Sequence, residues 1–188
     1  MTRLLSLLLC HVFLVQSAMA QDGSLPIVTH CGYTDLSMFT EYIGEEYEGG
    51  YYAGAVRYLA PEEQALFEVF IVDGLLVDHR GWPIDADTTE FFGSDSDLWS
   101  PYGIYVMDHC GRIFLTFLHE TGLFHHSTFL AGQPVASAGE LLVIDGLIVY
   151  LDNASGHYKP PGGIAAQVVH RLKVLEADLS CAEVRWLF

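Results

Sequence analysis

Two segments carry the densest set of reactive side chains, Phe124-His125-His126-Ser127-Thr128-Phe129-Leu130-Ala131-Gly132 and, further on, Ser155-Gly156-His157-Tyr158-Lys159-Pro160. Imidazoles move protons near neutral pH, and hydroxyls act as nucleophiles or as hydrogen-bond partners. Glycine-bearing backbone lets N–H groups approach a developing anion. A catalytic site built from these residues uses His157 as general base or acid, Ser127 and Tyr158 as hydroxyl partners, and His126 to orient the ligand. Thr128, Gly132, Ser155 and Gly156 line it, with the Thr88-Thr89 loop alongside. If Phe124 to Phe129 is extended, alternation sends His126 and Thr128 to one face and His125, Ser127 and Phe129 to the other. His126 and Ser127 then form no direct base and nucleophile pair.

Other readings compete. His126 and His157, with Asp87, Asp152 or His125, offer nitrogen and oxygen ligands suited to zinc or another divalent ion, as in a metal-dependent hydrolase, but no HExxH-like spacing supports one. The order Arg57, Ser127-Thr128, Glu183 loosely matches the pattern of an ADP-ribosyltransferase handling NAD. The residues name no cofactor. Alternatively, the imidazoles and hydroxyls satisfy turn backbone in a polar network, and the chain is a non-enzymatic interaction module. Asn153-Ala154-Ser155 fits a glycan acceptor by pattern alone.

The elements that must position these groups are hairpins. Phe67 to Val77 and Leu141 to Tyr150 each place Asp-Gly between β-prone runs, which a tight primed turn requires because both central residues need positive φ. Ile104 to Met107 and Arg112 to Leu118 form a third hairpin across Asp108-His109-Cys110-Gly111. Leu36, Phe39, Ile43 and Tyr47 predict one inward helical face over 35–47, with Glu45, Glu46 and Glu48 toward solvent. A turn of helix is expected at Pro61 to Gln64. A second long helix is expected over 163–176, with Ile164, Val168, Leu172 and Leu175 inward, and a last strand over 184–188. Residues 81–101, rich in Asp, Ser, Gly and Trp, read as a long loop. The fold class is α+β: a curved or barrel-like antiparallel sheet built from hairpins, with two packed helices.

Residues 1–20 read as a signal peptide, with Arg3, an apolar run from Leu4 to Val15, and Ala18-Met19-Ala20 as a small-x-small cleavage site. A secreted or periplasmic domain over 21–188 follows, with no membrane span after cleavage. Removing Arg3 with the leader leaves 7 basic residues against 24 acidic ones. So anionic a body repels phosphate backbones and anionic membranes, which argues against nucleic acid as a partner; the small polar ligand is read from the His, Ser and Tyr side chains of the two motifs. Cys31, Cys110 and Cys181 remain in an oxidising setting and allow three pairings. Cys31 with Cys181, near the two ends, is the expected one.

The two motifs resemble the conserved domain of the plant IQ-motif-containing (IQM) proteins and their fungal and bacterial relatives. That family carries F-x-H-S-S-F-L-A-G, then A-G-x-L, a hairpin with Gly, and S-G-H-Y-x-P. The matching residues are Phe124, His126, Ser127, Phe129, Leu130, Ala131 and Gly132, then Ala138, Gly139, Leu141 and Gly146, then Ser155, Gly156, His157, Tyr158 and Pro160. Tyr58-Leu59, Pro61, Glu63, Glu68-Val69, Asp73-Gly74 and Asp87-Thr88-Thr89-Glu90 extend the likeness from about Arg57 to Leu179. His125 stands where plant members tend to have Gln, and Thr128 replaces a Ser. The resemblance implies a shared fold and pocket more than a reaction. The plant members are calmodulin-binding regulators through an IQ helix that is not read here, so calmodulin is not an expected partner.

Overall fold

The computed structural model describes residues 31–52, 55–86 and 101–188. The expected leader over 1–20, Asp87, Thr88 and Thr89 lie outside them. Seven strands form one sheet: β1 (Glu68–Val72), β2 (Leu75–Val77), β3 (Gly103–Met107), β4 (Ile113–Thr116), β5 (Ser137–Ile144), β6 (Leu147–Leu151) and β7 (Glu183–Val184). Their spatial order is β2-β1-β4-β3-β5-β6-β7. All neighbours are antiparallel except β6 and β7, a two-residue parallel pairing that makes the sheet mixed.

The hairpins form where the Asp-Gly pairs placed them. Asp73 and Gly74 have φ of 51° and 83°, and Asp145 and Gly146 have 49° and 80°, the left-handed geometry of a primed turn. In the third hairpin the Asp108 carboxylate accepts the N–H groups of Cys110 and Arg112 and pairs with the Arg112 guanidinium. The sheet curls until β2 meets the β5–β6 turn, where Leu76 N–H donates to Gly146 O at 2.8 Å. Residues 83–86 complete that seam: Ile84 N–H donates to Leu76 O, and Ala86 N–H to Val143 O.

Curling buries both faces of the central strands. Along β3, Tyr105 and Met107 join a core that includes Leu115, Leu141, Val143 and Leu151. Helix α3 (Gly162–Val174), which follows the short helices α1 (Pro61–Gln64) and α2 (His126–Phe129), covers this face with Ala165, Val168, Arg171 and Leu172 buried. Ile104 and Val106 point the other way, into a core with Met38, Tyr42, Phe114, Phe124, Phe129 and Tyr158. The two motifs sit over this second face.

Four expectations need correction. The stretch 35–47 is not a helix: a single 3₁₀ turn, Thr40–Tyr42, forms there. Leu36 instead exchanges backbone hydrogen bonds with Val135, and Phe39 N–H donates to His157 O. These non-local bonds outcompete the helical ladder and rotate the segment, so Met38, Tyr42 and Glu45 are buried while Ile43 and Tyr47 are about 70% and 69% exposed. Glu45 therefore faces the interior rather than solvent. The chain from Phe124 to Phe129 is not extended either, because α2 occupies it. Cys31 pairs with Cys110 and not with Cys181. Both N–H groups of Gly32 and Tyr33 donate to His109 O, which holds the entering chain against the β3–β4 turn. The expected last strand shrinks to β7.

Gly139 shows how tightly this layer closes. A Cβ there would stand 2.0 Å from the Asp152 carbonyl oxygen, a contact only a backbone shift can relieve. Replacing Gly139 with Ala is expected to cost about 3 kcal/mol or more, since overpacking against backbone lacks the escape that a flexible side chain offers. Urea denaturation of the variant checks this, and non-reducing peptide mapping should recover a Cys31–Cys110 linkage.

Candidate functional site

Helix α2 begins at the first motif because its own residues cap it. Thr128 Oγ1 accepts the His125 N–H at 3.0 Å, and Thr128 N–H donates to His125 O at 3.0 Å, a reciprocal arrangement that satisfies two otherwise orphaned groups. The hydroxyl of Thr128 is thus committed to backbone. Gly132 closes the turn with φ of 72° and its N–H on Ser127 O. A Cβ at Gly132 would lie 2.7 Å from the Tyr58 hydroxyl oxygen, so this glycine serves packing and not anion binding.

The loop after β6 brings the second motif back over α2. Asp152 anchors it, with Oδ1 accepting from Glu140 and Ala154 N–H and Oδ2 from Tyr150 OH. Asn153 is fully buried. Its Nδ2 donates to Pro160 O and its Oδ1 accepts Leu187 N–H, so the glycan pattern is structural. The Tyr158 hydroxyl donates to Gln133 O at 2.9 Å, and Tyr158 is a core residue that does not line the cavity described next.

His119, His125, His126 and His157 line one cavity of about 370 Å³, together with Tyr52, Thr121, Glu140, Ser155, Gly156 and Phe188. The His125 ring centroid lies 4.8 Å from that of His157, and His119 approaches His125 and His126 at 5.5 and 6.2 Å. Tyr52 stacks on His125 at 4.7 Å. His126, His157, Ser155 and Gly156 thus line one cavity. Ser127 and Ser155 each bury an Oγ that has no formed hydrogen bond. A larger hollow of about 680 Å³, by Phe67, Trp82 and Leu118, holds no residue of either motif.

Behind the imidazoles lies Glu45. It is 0% exposed, and its Oε2 accepts a hydrogen bond from His157 Nε2 at 2.8 Å. The Tyr58 hydroxyl donates more weakly to Oε1 at 3.4 Å. Burial pushes the Glu45 carboxyl upward, but the bond from His157, a loose contact from Ser127 and the nearby imidazoles outweigh it and hold it below the usual value. A buried carboxylate that orients an imidazole is the arrangement that raises basicity at the other ring nitrogen. Removing one buried charge with both of its acceptor oxygens from this cluster is costly: Glu45→Ala is expected to lose about 3–5 kcal/mol of stability, as for one half of a buried pair.

Burial dominates the other rings. It pushes His126 down to about 3, partly opposed by the hydrogen bond of its Nε2 to Gly139 O. It pushes His125 down to about 4, with His157 and His119 adding to the effect. His119 is lowered for the same reasons. Glu140 is raised by burial and then by Asp152.

Sequence reasoning passed over Glu45, Tyr52 and His119. Glu45 sat in an acidic run that reads as a solvated face, yet it continues the Met38, Tyr42 spacing, a carboxylate on an apolar stripe. Arg57 pairs with Glu63, and Glu183 pairs with Arg185. Neither Arg57 nor Glu183 lines the cavity. Among the described residues, the three donor side chains that converge closely enough for a metal are Cys31, His109 and Cys110, and both thiols are spent in the disulfide.

A curled, hairpin-built α+β sheet with a histidine-lined cavity over one face defines the class of this domain. The profile of the family described as IQ motif-containing protein middle domain matches residues 63–163, more than half of the chain, and the chain belongs to that family. The Arabidopsis thaliana protein IQ domain-containing protein IQM3 is 34% identical over 105 residues, 56% of this chain and 21% of its own length. IQ domain-containing protein IQM1 from the same plant is 29% identical over 125 residues, 66% of this chain and 23% of its own. The chain thus spans about a fifth of the length of these relatives. No solved structure matches it. Glu45 and Tyr52 lie ahead of the matched residues.

The low values of His125 and His126 have a thermodynamic consequence. In the unfolded chain both rings titrate near 6.5, so between there and about 4 or about 3 the unfolded state binds protons that the folded state refuses. Stability therefore falls as pH is lowered through 6.5. Glu45, lowered from 4.5, adds stability above that value that is lost on further acidification. Melting temperature should drop between pH 7 and pH 4, and more gently in His126→Gln. Equal slopes would show that His126 is not held neutral.

Proposed function

We propose that this chain is an exported IQM domain that binds a small polar ligand in the cavity lined by His119, His125, His126 and His157. The convergence of four imidazoles on one cavity is the observation that carries the reading. The four come from three separate segments of the chain, and burying His125, His126 and His157 costs stability that ordinary packing would recover with aliphatic side chains. The unpartnered Ser155 hydroxyl in the same wall supports it further. So does the volume, about 370 Å³, which falls within the range of small-molecule sites.

Glu45 and His157 equip the cavity for proton transfer. With Nε2 held by the carboxylate, Nδ1 is the nitrogen of His157 that serves a ligand, and Ser155 and His126 stand in the same wall. The roles that the sequence suggested for His157 and His126 suit these positions. Export rests on the signal-like residues 1–20, and the Cys31–Cys110 bridge supports an oxidising setting.

A thermal-shift screen of small polar metabolites tests the cavity. At least one compound should raise the melting temperature of the native protein, with the shift abolished in His126→Ala. If His157→Ala lowers stability while no compound's shift depends on His126, the motifs are structural and the domain is an interaction module.

A further inference from the structure

Each of three rings in the cavity has one nitrogen committed to a protein partner, and that commitment fixes what the other nitrogen offers. The Gly122 N–H donates to His125 Nε2 at 2.7 Å. An N–H cannot accept, so Nε2 carries the lone pair and the proton of the neutral ring sits on Nδ1, a donor. At His126 the partner is the Gly139 carbonyl, 2.9 Å from Nε2. A carbonyl only accepts, so Nε2 holds the proton and Nδ1 of the neutral ring is an acceptor. Glu45 holds the proton of His157 on Nε2 in the same way. Ser155 Oγ, buried and unpartnered, can donate and accept.

The wall therefore offers both donors and acceptors, and a group that does both satisfies it best. Hydroxyls have that property. Charge points the same way: neither Lys nor Arg is among the described lining residues, while Glu140 is, and the Glu45 carboxylate stands behind. A phosphate or carboxylate would meet neither Lys nor Arg among the described lining residues and would leave acceptor facing acceptor at His126. Tyr52 and Phe188 supply aromatic surface at the same cavity, against which the C–H face of a ring packs.

The geometry points to an uncharged polyhydroxylated ring of monosaccharide size as the ligand of this cavity. The inference rests on the ligand-binding reading above and names its chemical class. The probes are neutral monosaccharides and uncharged nucleosides, set against their phosphate esters and against amino sugars, with binding to the full chain read by saturation-transfer NMR and calorimetry. At least one neutral member should bind at least tenfold more tightly than its phosphate ester. That binding should weaken at least tenfold in His126→Gln, which keeps an N–H for Gly139 O and removes the Nδ1 acceptor. Long-range proton–nitrogen spectra should show His125 protonated on Nδ1 and His126 on Nε2, independently of any ligand.

Tighter His126-dependent binding of a phosphate ester or an amino sugar would overturn the class while leaving the cavity as a ligand site. Opposite tautomers, or a panel in which no neutral member binds, would overturn it too. Failure of every probe and of the metabolite screen alike would remove the ligand-binding reading itself.

Discussion

Glu45 has no solvent-exposed surface, and a carboxylate in that position survives only with hydrogen-bonded partners close enough to repay its lost hydration. His157 supplies the main partner at 2.8 Å across 112 residues of sequence, and this pairing determines how the N-terminal segment meets the second motif. Phe39 N–H on His157 O ties the same two regions through backbone, and Val56 N–H on Glu45 O closes the N-terminal segment on itself. With the segment so anchored, Tyr42 and Tyr52 are delivered against His157 and His125, with ring centroids 4.2 and 4.7 Å apart respectively. The cavity wall is in that sense a consequence of solving one electrostatic problem.

The sheet provides the rigid backing. Its central strands are buried on both faces, so neither face is free to shift, and the α3 side and the motif side are packed from the same backbone. Gly139 illustrates the economy of that arrangement: its carbonyl receives His126 Nε2, while its lack of a side chain admits the Asp152 backbone. Strand pairing, loop docking and the tautomer of a cavity ring all meet at one residue. Arg171 on α3 does similar work on the opposite face, donating to Gly111 O and bracing the β3–β4 turn beside the Cys31–Cys110 bridge.

Membership in the IQM middle-domain family covers residues 63–163, which hold His119, His125, His126, Ser155 and His157. The Glu45 carboxylate and Tyr52 come from before that span, and Phe188 from after it. The cavity thus draws its imidazoles from the family span and the groups behind and beside them from segments outside it, attached through a few non-local bonds.

Much of the scaffold was legible residue by residue. Asp73-Gly74 and Asp145-Gly146 determined their hairpins because few dipeptides tolerate two successive positive φ values, and the apolar periodicity over 163–176 pointed to α3 because an amphipathic helix carries its own signature. The two motifs likewise announced their imidazoles. What tertiary structure decided was everything settled by long-range partners. The apolar spacing of Leu36, Phe39, Ile43 and Tyr47 predicted a helix, yet backbone bonds to Val135 and His157 rotated the segment and put Glu45 inside. Cys31 found Cys110 because the entering chain docks on the β3–β4 turn, a proximity that sequence distance conceals. Local conformational preference is written in adjacent residues. The pairing of a buried charge, the nitrogen that each histidine presents and the closure of a disulfide depend on which distant atoms arrive, and only the folded chain determines that.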